Sequence, residues 1–226
     1  MIAALRYLRD RWPEVQELLI QHLQITAGAL ALALLIALPL GIALARRPRL
    51  AVGVMSFLGI LYTIPSLALL VFFIPILGLG FKTAVVTLVI YAQIVLVRNI
   101  VAGLQAINPA LIEAARGMGM NAWQRWWRVE FPLALPIILA GVRIAAIMII
   151  GIAAIAAKIN AGGLGKLLFD GIAGLRDDKI LAGALVVGLL AIAINGLFLL
   201  IERLVDPEAK IRRSQRRATP AHPPQS

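Results

Sequence analysis

Five stretches of this chain are too long, too apolar and too free of charge to be helices of a soluble protein. Ala27–Ala45, Leu50–Leu77, Thr83–Val97 and Ile180–Ile201 hold no charged residue, and Phe131–Ala157 is interrupted only by Arg143. A helix rises ~1.5 Å per residue, so about 20 apolar residues cross a ~30 Å hydrocarbon layer. The shorter Thr83–Val97 stretch gains length from Lys82 and Arg98, whose stems can snorkel to the two interfaces. The composition agrees: 61% of the 226 residues are hydrophobic and 15% charged, whereas soluble domains carry about a quarter charged residues. Mean hydropathy is +0.92. An all-α integral membrane protein with about five transmembrane helices is predicted, over about 23–45, 50–77, 80–107, 131–157 and 180–203.

Charge placement fixes the expected orientation. Arg46, Arg47 and Arg49 follow the first span, Arg98, Arg116, Arg125 and Arg128 surround residues 108–130, and Arg203, Lys210, Arg212, Arg213, Arg216 and Arg217 follow the last. The positive-inside rule assigns all three groups to the cytoplasm. In the segment 1–19, Arg6, Arg9 and Arg11 are balanced by Asp10, Glu14 and Glu17, and the Lys158–Lys179 loop mixes both signs. Those two segments are expected outside, the first as an amphipathic helix on the membrane surface. A sixth span within 50–77 would put the Arg46 group on the wrong side, so the amino terminus is expected outside and the carboxyl terminus in the cytoplasm. The net charge of +11 follows from this topology and from a basic tail over 206–226, expected to be disordered beside anionic lipid. It does not call for a nucleic-acid partner. With no cysteine, and with His22 and His222 far apart, thiolate metal sites and clustered catalytic groups are not expected.

Two places interrupt the spans. Pro65 removes a backbone donor at membrane depth, so the helix should kink or part near Ile64 and Ser66, which makes Ile64, Pro65 and Ser66 candidates for lining a translocation path. Arg143 needs a partner or an interface, and snorkelling or a pair with Glu130 is expected.

Between the third and fourth spans lies a polar, glycine-punctuated stretch, "EAARGMGMNAWQRWW" over 113–127. Asn108 and Pro109 start a short helix, and Gly117 and Gly119 end it. Asn121 caps a second, with Gln124 in the capping-box position. Trp123, Trp126 and Trp127 share one side, suited to the headgroup belt. Glu113 is expected near the helix start, where the dipole favours a carboxylate. Two caps and a glycine hinge point to a docking element rather than a passive connector.

The stretch "EAARGMGMNAWQRWWRVEFP" resembles the EAA signature of the permease subunits of ATP-binding-cassette importers. Glu113, Ala114, Ala115, Gly119 and Pro132 fall in register, with Val129 and Phe131 in place of the family's Ile and Leu. "TIPSLALL" (63–70), "NPALIEAARGMGM" (108–120), "PLALPIILAGVR" (132–143) and "NAGGLG" (160–165) are similar to permeases of osmoprotectant importers, the likeness covering about residues 20 to 205. It departs at Lys158 and Asn160, where small or hydroxyl residues are expected near the outer mouth of the path.

The resemblance implies the binding-protein-dependent importer permease fold, in the inner or plasma membrane of a prokaryote. Loop 108–130 would be the coupling helix, with Glu113, Ala114, Ala115, Gly117 and Gly119 meeting the ATPase. The implied partners are ATP-binding-cassette ATPase subunits, an extracytoplasmic substrate-binding protein, and a second permease subunit, either identical or a paralogue. This chain would be non-catalytic and hold no cofactor, ATP and magnesium being on the ATPase. "GGLGKLL" at 162–168 lacks the glycine spacing and the Ser or Thr of a phosphate loop. The implied solute is glycine betaine, choline, carnitine or proline betaine, with another amino acid or zwitterion as the alternative. An ion-coupled carrier would need ionisable groups deep in its spans, and only Arg143 is there.

Overall fold

Hydrocarbon offers no hydrogen bonds, so a spanning chain must satisfy its backbone within its own helices. The computed structural model describes residues 2–205; the tail 206–226, expected to be disordered, lies outside the described residues. Helix α1 covers Ile2–Asp10 and α2 Trp12–Ala45; α3 (Pro48–Thr63) and α4 (Ser66–Leu77) follow, then α5 (Phe81–Gln105) and α6 (Pro109–Gly117). A run of α7 (Ala122–Arg125), a π turn (Trp126–Glu130), α8 (Phe131–Ala156) and a 3₁₀ turn (Ala157–Ile159) comes next, before α9 (Gly165–Ala173) and α10 (Asp177–Val205).

Among the described residues, four helical stretches are long and apolar enough to cross a membrane: α2, α5, the run Ala122–Ile159 and α10. Taken as one broken span, α3 and α4 make the fifth; they meet at 93°. The surface helix expected before the first span is instead two pieces. Pro13, at the second position of α2, cannot continue α1, so the chain turns at Arg11, and residues 12–23 belong to the long helix, with Val15, Leu18 and His22 buried.

Helix α5 is the most enclosed of the spanning stretches, packed between α2 and α8. Small residues let the backbones approach. Ala29, Ala33, Ala37 and Gly41 recur every fourth residue along α2 and are buried, and a Cβ on Gly41 would stand 2.6 Å from Ile100 Cγ2 of α5. On α8, a Cβ on Gly141 would stand 2.4 Å from Asn99 Cβ of α5. Without a hydrophobic drive between helices in lipid, such close van der Waals contact and interhelical hydrogen bonds hold the bundle. Gln93 Nε2 donates to Ala33 O at 3.2 Å, and His22 Nε2 is 3.2 Å from Ile150 O. None of the apolar window of α10 is buried within this chain; it packs on α8 and α9 from outside.

Arg143 does not meet Glu130. Its Nε donates to Glu202 Oε1 of α10 at 2.9 Å and its Nη1 to Asn195 Oδ1 at 3.3 Å. Glu130 instead accepts from Arg125 Nε at 2.6 Å, with Arg46 at 3.9 Å. A helix places residues 13 apart about 20 Å apart along its axis, whereas the facing helix brings a carboxylate alongside.

Candidate functional site

The 108–130 loop assembles from local chemistry. Asn108 Oδ1 accepts from Ala110 N at 3.0 Å, and Pro109 opens α6, where its missing N–H leaves nothing unpaired. After Gly117 the chain reverses through Gly119 at φ +76°, a left-handed backbone that glycine adopts without strain. Its N–H bonds Arg116 O at 2.9 Å, and Met120 N bonds Ala115 O at 3.1 Å. Of the two glycines only Gly119 needs its freedom; Gly117 is the last residue of α6. Asn121 then forms the full capping box: Gln124 N donates to Asn121 Oδ1 at 2.8 Å, and Asn121 N to Gln124 Oε1 at 3.0 Å.

Within α6 the residues divide by face. Ala115 is 1% exposed and Ile112 packs on the main core, while Glu113, Ala114 and Arg116 face outward. One alanine seats the helix and the other stands beside the exposed carboxylate. Glu113 is the fifth residue of α6 rather than a first-turn residue, so the helix dipole adds little there, and its exposed carboxylate forms no ion pair among the described residues. Trp123 and Trp127 stack edge to face at 5.5 Å, and Trp127 meets Phe131 at 5.4 Å. These aromatics bind the loop to the base of α8 as one continuous helical run, which the expected division at residue 130 had separated.

The Pro65 irregularity is a full break. Ile64 and Pro65 are extended (ψ 129° and 135°), and Ser66 opens α4. The Tyr91 hydroxyl of α5 donates to the Ile64 carbonyl that the break leaves free, and Thr63 Oγ1 donates to Ile60 O at 2.7 Å. The rings of Tyr62 and Tyr91 meet edge to face at 5.9 Å. Neither tyrosine was singled out in the sequence; the signal was a tyrosine three residues before a mid-span proline.

Lys158 and Asn160 sit elsewhere, at the turn between α8 and α9. Lys158 Nζ lies 4.4 Å from the Phe169 ring centroid, and Asn160 is left-handed at φ 63°. Gly163 N donates to Gln21 Oε1 at 3.1 Å, tying this turn to α2. Among the described residues no hydrogen bond or ion pair joins Lys158 or Asn160 to the Ile64–Ser66 break. The five residues thus fall in two places, the Ile64–Ser66 break and the Lys158–Asn160 turn.

Residues 37–211 match the family described as binding-protein-dependent transport system inner membrane component. The chain is 42% identical to the glycine betaine/carnitine/choline transport system permease protein OpuCB of Bacillus subtilis, over 83% of this chain and 87% of that protein. It is 41% identical to the osmoprotectant import permease protein OsmW of Salmonella typhimurium, over 90% and 97%. Among solved structures it resembles the inward-facing MetNI methionine ABC transporter, with a TM-score of 0.78 and 27% identity over 85% of this chain and 96% of that one.

Proposed function

The chain belongs to the binding-protein-dependent transport system inner membrane components, and from that membership we propose that it is the permease subunit of an ATP-driven importer of osmoprotectants. Its solute class is glycine betaine, choline, carnitine or proline betaine, small molecules that share a quaternary ammonium. The observation that carries this reading is the 108–130 loop: a capped helix projecting Glu113 and Ala114, turned by Gly119, and continuous through the tryptophans with a spanning helix. The names of the relatives, OpuCB and OsmW among them, support the solute class.

In this reading the loop faces the cytoplasm, and Glu113, Ala114, Gly117 and Gly119 meet a separate ATPase that binds ATP and magnesium, while Ala115, expected among them, is buried and seats α6 from behind. Closure of two ATPases beneath a pair of permeases moves the loops, and the attached helices open the path to one side and then the other. A binding protein delivers solute from outside, to a path that includes the Ile64–Ser66 break. The likeness to the methionine transporter favours an amino acid as the second reading.

The test is reconstitution in proteoliposomes with the chain's ATPase and binding protein. ATP-dependent uptake of labelled glycine betaine, choline or carnitine is expected, with methionine and histidine left outside. Uptake of an amino acid in preference to every quaternary ammonium compound would overturn the solute class, and uptake without ATP would overturn the importer.

A further inference from the structure

Tyr62 stands half-exposed at the middle of the membrane, beside backbone that lipid cannot accommodate. Its depth follows from α5. Tyr91 is ten residues past Phe81 and fourteen before Gln105, which at the helical rise places it about 15 Å from one end of α5 and about 21 Å from the other. Because the Tyr91 hydroxyl holds the Ile64 carbonyl, the break between α3 and α4 lies at that depth. An interfacial-belt role for Tyr62 is excluded on that ground.

The pair divides its labour. Tyr91 is 4% exposed and Tyr62 48%, so one ring is held in the bundle and presents its neighbour outward. Thr63 and Pro65 beside it are also exposed, and among the described residues no backbone amide donates to the carbonyls of Tyr62 or Thr63 across the break. Non-helical backbone at this depth persists only when buried in protein or lining a water-filled cavity. Carboxylates are missing from the region: no Asp or Glu lies between Glu17 and Glu113, nor between Glu130 and Asp170, and Glu202 is engaged by Arg143. A permanent cation passing through α3, α4, α5 and α8 therefore meets no opposite charge there.

Resting on the quaternary-ammonium reading above, we propose that Tyr62 and the carbonyl end of α3 form the contact site for the solute's cationic headgroup on the translocation path, with Tyr91 as the positioning residue. A quaternary ammonium has no N–H to donate, so a ring face within ~6 Å of it, worth more when desolvated, suits it better than a hydrogen-bond acceptor. The α3 carbonyls add the negative end of the helix dipole. A neutral site of this kind attracts the cation without holding it, which transit requires.

The test uses the complete transporter in proteoliposomes, with the binding protein saturated by labelled glycine betaine. Tyr62→Phe keeps the ring and is expected to retain uptake within about twofold, whereas Tyr62→Leu, apolar but without a ring, loses about tenfold. Pentafluorophenylalanine at position 62 fills the same space with the ring's charge distribution reversed, and falls with leucine. Uptake that needs only an apolar side chain, leucine and pentafluorophenylalanine matching phenylalanine, would overturn the cation–π site. Since the chain has no cysteine, Tyr62→Cys supplies its sole thiol. That thiol is expected to react with a membrane-impermeant methanethiosulfonate bearing a quaternary ammonium; no reaction in either the ATP-bound or nucleotide-free state would place Tyr62 against lipid or a second subunit and overturn the proposal. Failure of the unaltered transporter to import glycine betaine would instead strike the solute assignment.

Discussion

Gly119 shows how a single residue carries the aim of the loop. A Cβ there would meet no atom within 4 Å, so a side chain is opposed by the φ of +76° and not by crowding within this chain. A left-handed backbone costs an ordinary residue about 1–2 kcal/mol and a β-branched one more, while asparagine tolerates it. Gly119→Val is therefore expected to insert in the membrane yet lose solute-stimulated ATP hydrolysis and uptake together, by about tenfold or more. Gly119→Asn should retain most of both. ATPase and uptake assays on complexes confirmed to contain the subunit check this; wild-type stimulation by Gly119→Val would return the loop to a passive connector. Residue-scale features of this kind were legible wherever they are local. The Asn121–Gln124 box and the Asn108 cap could be read from spacings of two or three. The partner of Arg143 lies 59 residues away and that of Ile64 lies 27 away, and no short-range pattern encodes either.

Among the elements, the spans were readable because an uncharged apolar run has few other fates, and their ends were less so. Tertiary packing extended α2 back to Trp12, and the tryptophan–phenylalanine contacts joined the loop to α8, neither of which a hydropathy boundary records. The attachment of α10 is where element-scale energetics can be tested. Its carboxyl-terminal half is held to α8 by Arg143, Glu202 and Asn195, and both charges are mostly withdrawn from solvent (25% and 19% side-chain exposure). Removing one partner leaves the other uncompensated, at a cost of about 2 kcal/mol or more. Glu202→Gln is expected to lower the thermal midpoint of the detergent-purified subunit by several degrees. The double change Arg143→Met with Glu202→Met should recover most of that loss, because an apolar pair requires no desolvation. A double variant less stable than the single one would show that the charges themselves hold α10.

At the scale of the molecule, membership of the importer family was legible because a signature spread over twenty residues survives in register, and hydropathy gave the four spanning helices and the broken α3–α4 pair that makes a fifth. Orientation remains the testable part, argued from the arginine-rich groups and the balanced segment 1–19. Reporter fusions are expected to place residue 5 outside and residues 48, 115 and 215 inside; residues 5 and 215 on one side would exclude an odd number of spans. The helical run from Ala122 to Ile159 has a mechanical consequence in this frame. Its 38 residues extend about 55 Å, so a tilt of about 5° at one end carries the other about 5 Å. One end carries the capped tryptophan base beneath which the ATPase is proposed to dock, and the other carries the turn at Lys158 and Asn160. The stroke of a motor docked there would therefore need no chain of intermediates to reach that turn: both ends belong to one lever, and the bundle around its middle is the fulcrum.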